Sequence, residues 1–232
     1  MAEDLTRRGF LGAAGAAVAA GMATQAAWAA EGKEVPKGGP IKIIGLSCSP
    51  REGKTTAAAL QVCLDAAKAV GPNVEVELIE LAGRNIPVFD PAAPGSADFD
   101  QVAAKLTDPK VAGVIVGTPV YFGNMTSLAK AFLDQCMACR KKNLALANKV
   151  AGVLAVGGVR NGGQELAIAG VQAALMCQEM ILVGDGRPTA HTGATLWNQG
   201  DDISQDEFGL STAKNLGRRV AEVALRLAGS AG

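Results

Sequence analysis

Five times between Ile41 and Leu227 a short apolar run is followed by a stretch with helical spacing, and this alternation leaves few folds open. Ile41 to Leu46 (IKIIGL), Val111 to Gly117 (VAGVIVG) and Lys149 to Val156 are short, β-branched and almost wholly apolar, as strands covered on both faces are. Val74 to Leu81 (VEVELIEL) alternates instead, which suits a strand nearer an edge, and Met180 to Val183 is a fifth short run. The helical stretches are Lys54 to Val70 (stopped by Gly71-Pro72), Asp98 to Thr107, Met125 to Lys141, Gln164 to Cys177 and Ser204 to Leu227. Parallel strands need crossover helices, and right-handed crossovers wrap them over both faces of the sheet. The expectation is a doubly wound α/β domain with a five-stranded parallel sheet in the order 2-1-3-4-5. A ligand in such a sheet sits beyond the carboxyl ends of the strands, between strands 1 and 3. The loops after Leu46, Gly117 and Val156 therefore matter most.

The first 40 residues read separately. TRRGFLG (Thr6 to Gly12) sets two arginines before a weakly hydrophobic, alanine-rich run from Phe10 to Ala30, and Ala27-Trp28-Ala29 offers small residues where a signal peptidase cuts. This predicts a twin-arginine signal peptide over residues 1–29, a flexible lead-in over 30–40, one domain over 41–232, and a periplasmic location. The competing reading is an alanine-rich helix or membrane anchor. With 22 basic and 22 acidic residues the chain is formally neutral, so neither nucleic acid nor an anionic membrane surface is an expected partner. No stable membrane insertion is expected after cleavage. A single histidine, His191, makes His-rich metal sites and most histidine catalysis poor candidates.

The first loop, CSPREGKTT (residues 48–56), is one residue short of a nucleotide-triphosphate loop, since Cys48 stands where that pattern has its first glycine. A helix starting near Lys54 offers unpaired N–H groups and a positive dipole end, which favour a phosphate dianion. Ser47, Ser49, Thr55 and Thr56 add hydroxyls, and Arg51 and Lys54 add charge. Three readings stand here: a phosphate site, an ATP site with Asp185 as the best magnesium aspartate, and a plain polar cap. The second loop, GTPVYFGNM (Gly117 to Met125), carries an aromatic pair followed by glycine, a pattern that lies against a flat ring; the alternative is that Tyr121 and Phe122 pack the top of the core. The third, GGVRNGGQE (Gly157 to Glu165), lets backbone approach a ligand closely.

SPREGKTT, GTPVYFGNMTSLAKAFLD and VGGVRNGGQE, in that order and spacing, resemble the NADPH-dependent FMN reductase group of the flavodoxin superfamily, and within it the iron–sulfur flavoproteins and related quinone reductases. The resemblance implies a flavodoxin-like fold and FMN as cofactor. By motif position, Ser49, Arg51, Thr55 and Thr56 would hold the FMN phosphate, with Ser47 and Lys54 close by. Pro119, Val120, Tyr121, Phe122, Gly123 and Asn124 would flank the isoalloxazine, and Gly157, Gly158, Gly162 and Gly163 would close over its edge. It also implies a homodimer or homotetramer. Iron–sulfur flavoproteins carry a cysteine cluster between the second strand and the next helix, whereas here that interval, LAGRNIPVFDPAAPGSADFD, has no cysteine. No iron–sulfur cluster is therefore expected.

The functional expectation is an exported FMN oxidoreductase, with NAD(P)H or another donor reducing the flavin and a quinone, a free flavin or a similar small molecule accepting the electrons. No catalytic side chain and no metal are expected. The alternative is a flavodoxin-like electron carrier without small-molecule turnover, against which the chain's neutrality weighs, since a carrier usually shows a strongly acidic docking face; a third is a binding module that kept the fold and lost the cofactor. Of five cysteines, Cys136 and Cys139 form a C-x-x-C within one helical stretch. Buried inert thiols, a dithiol or disulfide, and half a metal site all stand as readings. Cys63 and Cys177 read as core, Cys48 as packing under the first loop, and His191 as a loop residue near the ligand rim.

Overall fold

A computed structural model describes residues 38–93 and 95–229. The residues of the twin-arginine motif, the cleavage point and most of the lead-in lie outside them. In chain order the elements are β1 (Ile41–Ser47), α1 (Thr55–Lys68), β2 (Val74–Glu80), α2 (Ala97–Leu106), β3 (Val111–Pro119), α3 (Ser127–Gln135), α4 (Met137–Lys141), β4 (Val150–Gly157), α5 (Gln164–Met176), β5 (Ile181–Leu182), β6 (Ala194–Trp197) and α6 (Glu207–Gly229). The sheet is parallel in the order β2-β1-β3-β4-β5, with β6 also paired to β4.

Strand alternation divides the interior into two cores. Ile44, Leu46, Val114, Val116, Val153 and Ala155 face α2, α3 and α5, where Phe99, Phe132 and Ile168 are buried. Ile41, Ile43, Ile115 and Leu154 face α1 and α6, against Leu60, Cys63, Leu216 and Val220. Each fully buried Ile or Leu contributes about 1.5–3 kcal/mol of transfer free energy, so β1, β3 and β4, apolar on both faces, are held centrally. The half-exposed Glu75 and Glu77 of β2 keep that strand at the edge. Caps fix two helix starts: Ser96 accepts from the Phe99 N–H, and Thr126 accepts from the Ala129 N–H at 3.0 Å. No helix among the described residues is long and apolar enough to cross a membrane.

Two elements differ from the sequence expectation. The fifth strand is split. Ile181 and Leu182 pair with Val150 and Ala151; the chain then leaves the sheet and returns as Ala194–Trp197 against Leu154–Gly157. Pro188 cannot donate to a ladder, and Asp185 closes the excursion by accepting from Thr189 Oγ1 at 2.5 Å and from the His191 N–H. The stretch Met125 to Lys141 is also not one helix. At Cys136 (ψ −4°) one N–H is shared between the carbonyls of Phe132 and Leu133, and α3 gives way to the short α4.

Candidate functional site

The carboxyl ends of β1, β3 and β4 lie on one rim, because Ser47 pairs with Gly117, and Pro119 with Val156. All three loops singled out by sequence leave from that rim and are tied together there. The Cys48 N–H donates to the Gly117 carbonyl at 2.8 Å, Thr126 Oγ1 donates to the Cys48 carbonyl at 2.8 Å, and the Val120 N–H donates to the Val156 carbonyl at 2.9 Å. Gly163, at φ +93°, opens α5 against the second loop; a Cβ there would lie 2.9 Å from Gly123 Cα. Only glycine allows this approach in that left-handed conformation.

In the first loop Ser47, Ser49, Thr55 and Thr56 are buried, while Arg51 and Lys54 are exposed. Ser49 Oγ accepts from the Arg51 N–H at 3.1 Å, shaping the turn. Lys54 is the N-cap of α1 and makes no side-chain cap bond, so the first N–H groups of the helix keep their donors toward the loop. Ser47 Oγ is fully buried and has no hydrogen-bond partner among the described residues, although buried polar atoms are nearly always paired. Donors converge on this loop, which suits an oxyanion such as a phosphate. The magnesium reading fails, because Asp185 is buried away from the loop with its carboxylate taken by Thr189 and His191.

The second loop is a tight turn. Tyr121 and Asn124 exchange both backbone hydrogen bonds, with Phe122 (φ +51°) and Gly123 (φ +72°) at the tip. Tyr121 is 46% exposed and Phe122 fully exposed, so the pair does not pack the core. Pro119 and Val120 are half-buried below them. In the third loop Gly157 is buried, Gly158 exposed, and Gly162 and Gly163 half-buried. Gln164 braces this loop, accepting from the Gly162 N–H at 2.8 Å and donating to the Val159 carbonyl at 2.8 Å. Arg160 ties it to the start of α6 through a short ion pair with the buried Asp206.

A fourth loop, which sequence reasoning missed, completes the rim. After β6 the chain turns over residues 198–203, and Asp201 binds Arg51 at 2.7 Å and Lys54 at 3.5 Å. Arg51 beside it holds the Asp201 carboxyl below its usual range. Trp197 Nε1 donates to the Gly158 carbonyl, and Asn198 Oδ1 is a second buried atom without a partner among the described residues. The available signal was the turn chemistry of Asn198-Gln199-Gly200-Asp201 directly after an apolar ATLW.

His191 lies on the excursion between β5 and β6 with its ring edge-on to Phe208 at 5.7 Å, and Arg160 of the third loop lies over the same Phe208 ring at 5.8 Å. One expectation is corrected. Cys177 is exposed and not core, because α5 ends one residue before it. Cys48 and Cys63 are fully buried; burial pushes the Cys48 thiol up to about 12, so it stays protonated under the loop.

Residues 41–195 match the family described as NADPH-dependent FMN reductase. An iron–sulfur flavoprotein of Methanocaldococcus jannaschii is 38% identical over 192 residues, covering 79% of this chain and 97% of that protein. An iron–sulfur flavoprotein of Methanosarcina thermophila is 33% identical over 195 residues, covering 79% and 95%. Among solved structures, a flavodoxin, WrbA-like protein from Agrobacterium tumefaciens superposes with a TM-score of 0.58 at 16% identity, covering 80% of this chain and 97% of that one, and it shares the fold.

Proposed function

The chain belongs to the NADPH-dependent FMN reductase family, and on that premise we propose that it is an FMN-dependent oxidoreductase passing electrons from NAD(P)H or another donor to a quinone, a flavin or a similar small acceptor. The observation that carries this reading is the convergence of three loops on one sheet rim around the buried, unpartnered hydroxyl of Ser47. FMN supplies reversible one- and two-electron chemistry when bound. The residues present fit it. Ser47, Ser49, Thr55, Thr56 and the first N–H groups of α1 would receive the phosphate, with Arg51 and Lys54 neutralising its charge. Tyr121, Phe122 and the backbone of Gly123 and Asn124 would lie against the ring, and Gly157, Gly158, Gly162 and Gly163 would close over its edge. The interval 81–97 holds no cysteine, so FMN would be the only redox cofactor in that part of the site. The chain is formally neutral, whereas a carrier usually has a strongly acidic docking face, which favours small-molecule turnover over carriage between proteins.

If this is right, the purified protein binds FMN with the visible flavin bands. It prefers FMN to riboflavin by about 100-fold or more, since two or more charge-assisted hydrogen bonds of about 1.5–3 kcal/mol each are lost without the phosphate. A protein that stays colourless after FMN addition, or that binds both flavins equally, overturns the reading. NAD(P)H oxidation with a quinone then separates enzyme from carrier.

The Arg7-Arg8 pair, the weakly apolar run behind it and Ala27-Trp28-Ala29 support export by the twin-arginine route. Replacing Arg7 and Arg8 together by lysine is expected to abolish recovery of the protein from the periplasmic fraction; unchanged recovery would rule that route out.

A further inference from the structure

The flavin reading leaves one chemically active pair unused. Cys136 and Cys139 are both buried in the core under α2 and α3, three residues apart. Cys136 sits at the break between α3 and α4, where it caps one helix and precedes the other, and α4 begins without a side-chain cap. The i, i+3 spacing in a helix sets Cβ atoms about 5–6 Å apart, while a disulfide needs about 3.5–4.5 Å. The Arg140 N–H donates to the Cys136 carbonyl at 3.0 Å and closes the turn that holds both thiols, so the disulfide requires that turn to adjust at its start, where α3 gives way to α4. Cys139 also borders a cavity of about 60 Å³ between α2 and α4, with Asp100, Ala103, Thr107, Ala138 and Lys142 around it. That volume admits a molecule the size of one or two waters, and excludes a bulky disulfide. No third His, Cys, Asp or Glu among the described residues joins the pair in an arrangement that would hold a metal ion.

We propose that Cys136 and Cys139 form a redox-active dithiol, with Cys139 attacking a small hydroperoxide that enters the cavity between α2 and α4 and Cys136 resolving the product to a disulfide. The Cys139 sulfur attacks one peroxide oxygen and the O–O bond breaks. Cys139 becomes a sulfenic acid and the other oxygen leaves, protonated, as water or an alcohol. The Cys136 sulfur then attacks Cys139 Sγ. The S–O bond breaks, the hydroxide leaves as water with the Cys136 proton, and the S–S bond forms. Two thiols have lost two electrons and two protons, and one peroxide has been reduced; an external thiol restores the pair once the chain is unfolded.

The surroundings assign the roles. The neighbouring Cys136 thiol and the Lys142 ammonium hold the Cys139 thiol below the ordinary range, against burial and the Asp100 charge. The Cys139 thiol, burial, and the neighbouring Cys48 and Asp134 hold the Cys136 thiol above that range. Cys139, and not Cys136, borders the cavity, so an entering peroxide meets the Cys139 sulfur first.

The test uses the full chain with Cys177→Ser, which removes the exposed thiol and touches neither pair nor flavin loops. The folded protein is treated with hydrogen peroxide, quenched, unfolded and alkylated. The expected result is loss of two alkylatable thiols, with the peptide carrying both cysteines lighter by about 2 Da, the two hydrogens removed, and recovery on adding dithiothreitol. In Cys136→Ser, dimedone should label Cys139; in Cys139→Ser, oxidation of Cys136 should slow by about tenfold or more. If peroxide doses that oxidise Cys177 in the unsubstituted chain leave Cys136 and Cys139 fully alkylatable, the dithiol is refuted without reference to any variant's folding. Equal oxidation rates with and without Cys139 refute the assignment of roles.

Discussion

Ser47→Ala should weaken FMN binding by about 10- to 100-fold while leaving the cofactor-free protein as stable as before, or slightly more so. The two effects have opposite signs because they come from the same atom in two situations. Ser47 Oγ is fully buried at the end of β1 and has no partner among the described residues. An unpaired buried hydroxyl costs the folded state about 1–3 kcal/mol, and removing it recovers part of that cost. With a phosphate at the start of α1 the same hydroxyl gains a charged acceptor, worth about 1.5–3 kcal/mol, which converts to the stated loss of affinity. Fluorescence titration with FMN and thermal unfolding of the cofactor-free protein measure the two quantities. Riboflavin, lacking the phosphate, should bind both forms alike. An unchanged FMN Kd would remove Ser47 from the phosphate site, and a large drop in stability would mean the hydroxyl has a structural partner.

Gly217→Ala should destabilise the fold by about 3 kcal/mol or more, at the upper end of overpacking effects. Gly217 lies within α6, where an alanine would normally gain up to about 1 kcal/mol in helix propensity. That gain is overwhelmed by contact. A Cβ at Gly217 would sit 1.9 Å from the Cys63 carbonyl oxygen and 2.8 Å from Cys63 Cα. These are backbone atoms of α1, which cannot rotate aside, so the two helices covering one face of the sheet must separate. Leu60, Leu64, Leu216 and Val220, buried where these helices meet the sheet, lose packing as they do. For a domain of this size the melting temperature should fall by roughly 6–12 °C, at about 2–4 °C per kcal/mol. Gly229→Ala, at the open end of the same helix with no atom within 4 Å, is the control and should show no loss. Equal melting temperatures for the two variants would contradict the close crossing of α1 and α6.

The three predicted loops were legible in the bare sequence for different reasons. CSPREGKTT declared itself through hydroxyls and cations ahead of a helix, and GTPVYFGNM through aromatics placed directly after a buried strand. The glycine loop was weak on its own and gained meaning only from strand order, which puts it beside Gly123. Asp201 was invisible: it lies 150 residues from Arg51, and nothing local marks an aspartate in a turn as the partner of a distant arginine. The break at Cys136 was equally hidden. Its neighbours are ordinary helix formers, and the shared N–H arises from how α3 and α4 settle on the core, not from a breaker residue. The sixth strand failed for a third reason. ATLW is too short to show a period, and only the open edge of β4 beyond Ala151 makes it a strand.

What the amino-acid order determined by itself was the parallel strands β1 to β5, their alternation with helices, and hence a single rim where three loops meet. Those features follow from local apolar periodicity and from the handedness of crossovers, which act within one βαβ unit at a time. What only the tertiary structure decided was which distant groups meet: Asp201 with Arg51, Gly217 with Cys63, Cys139 with the cavity beside α2. Such pairings depend on how whole layers pack against one another, and close packing over long sequence separations leaves no trace in any short window of residues.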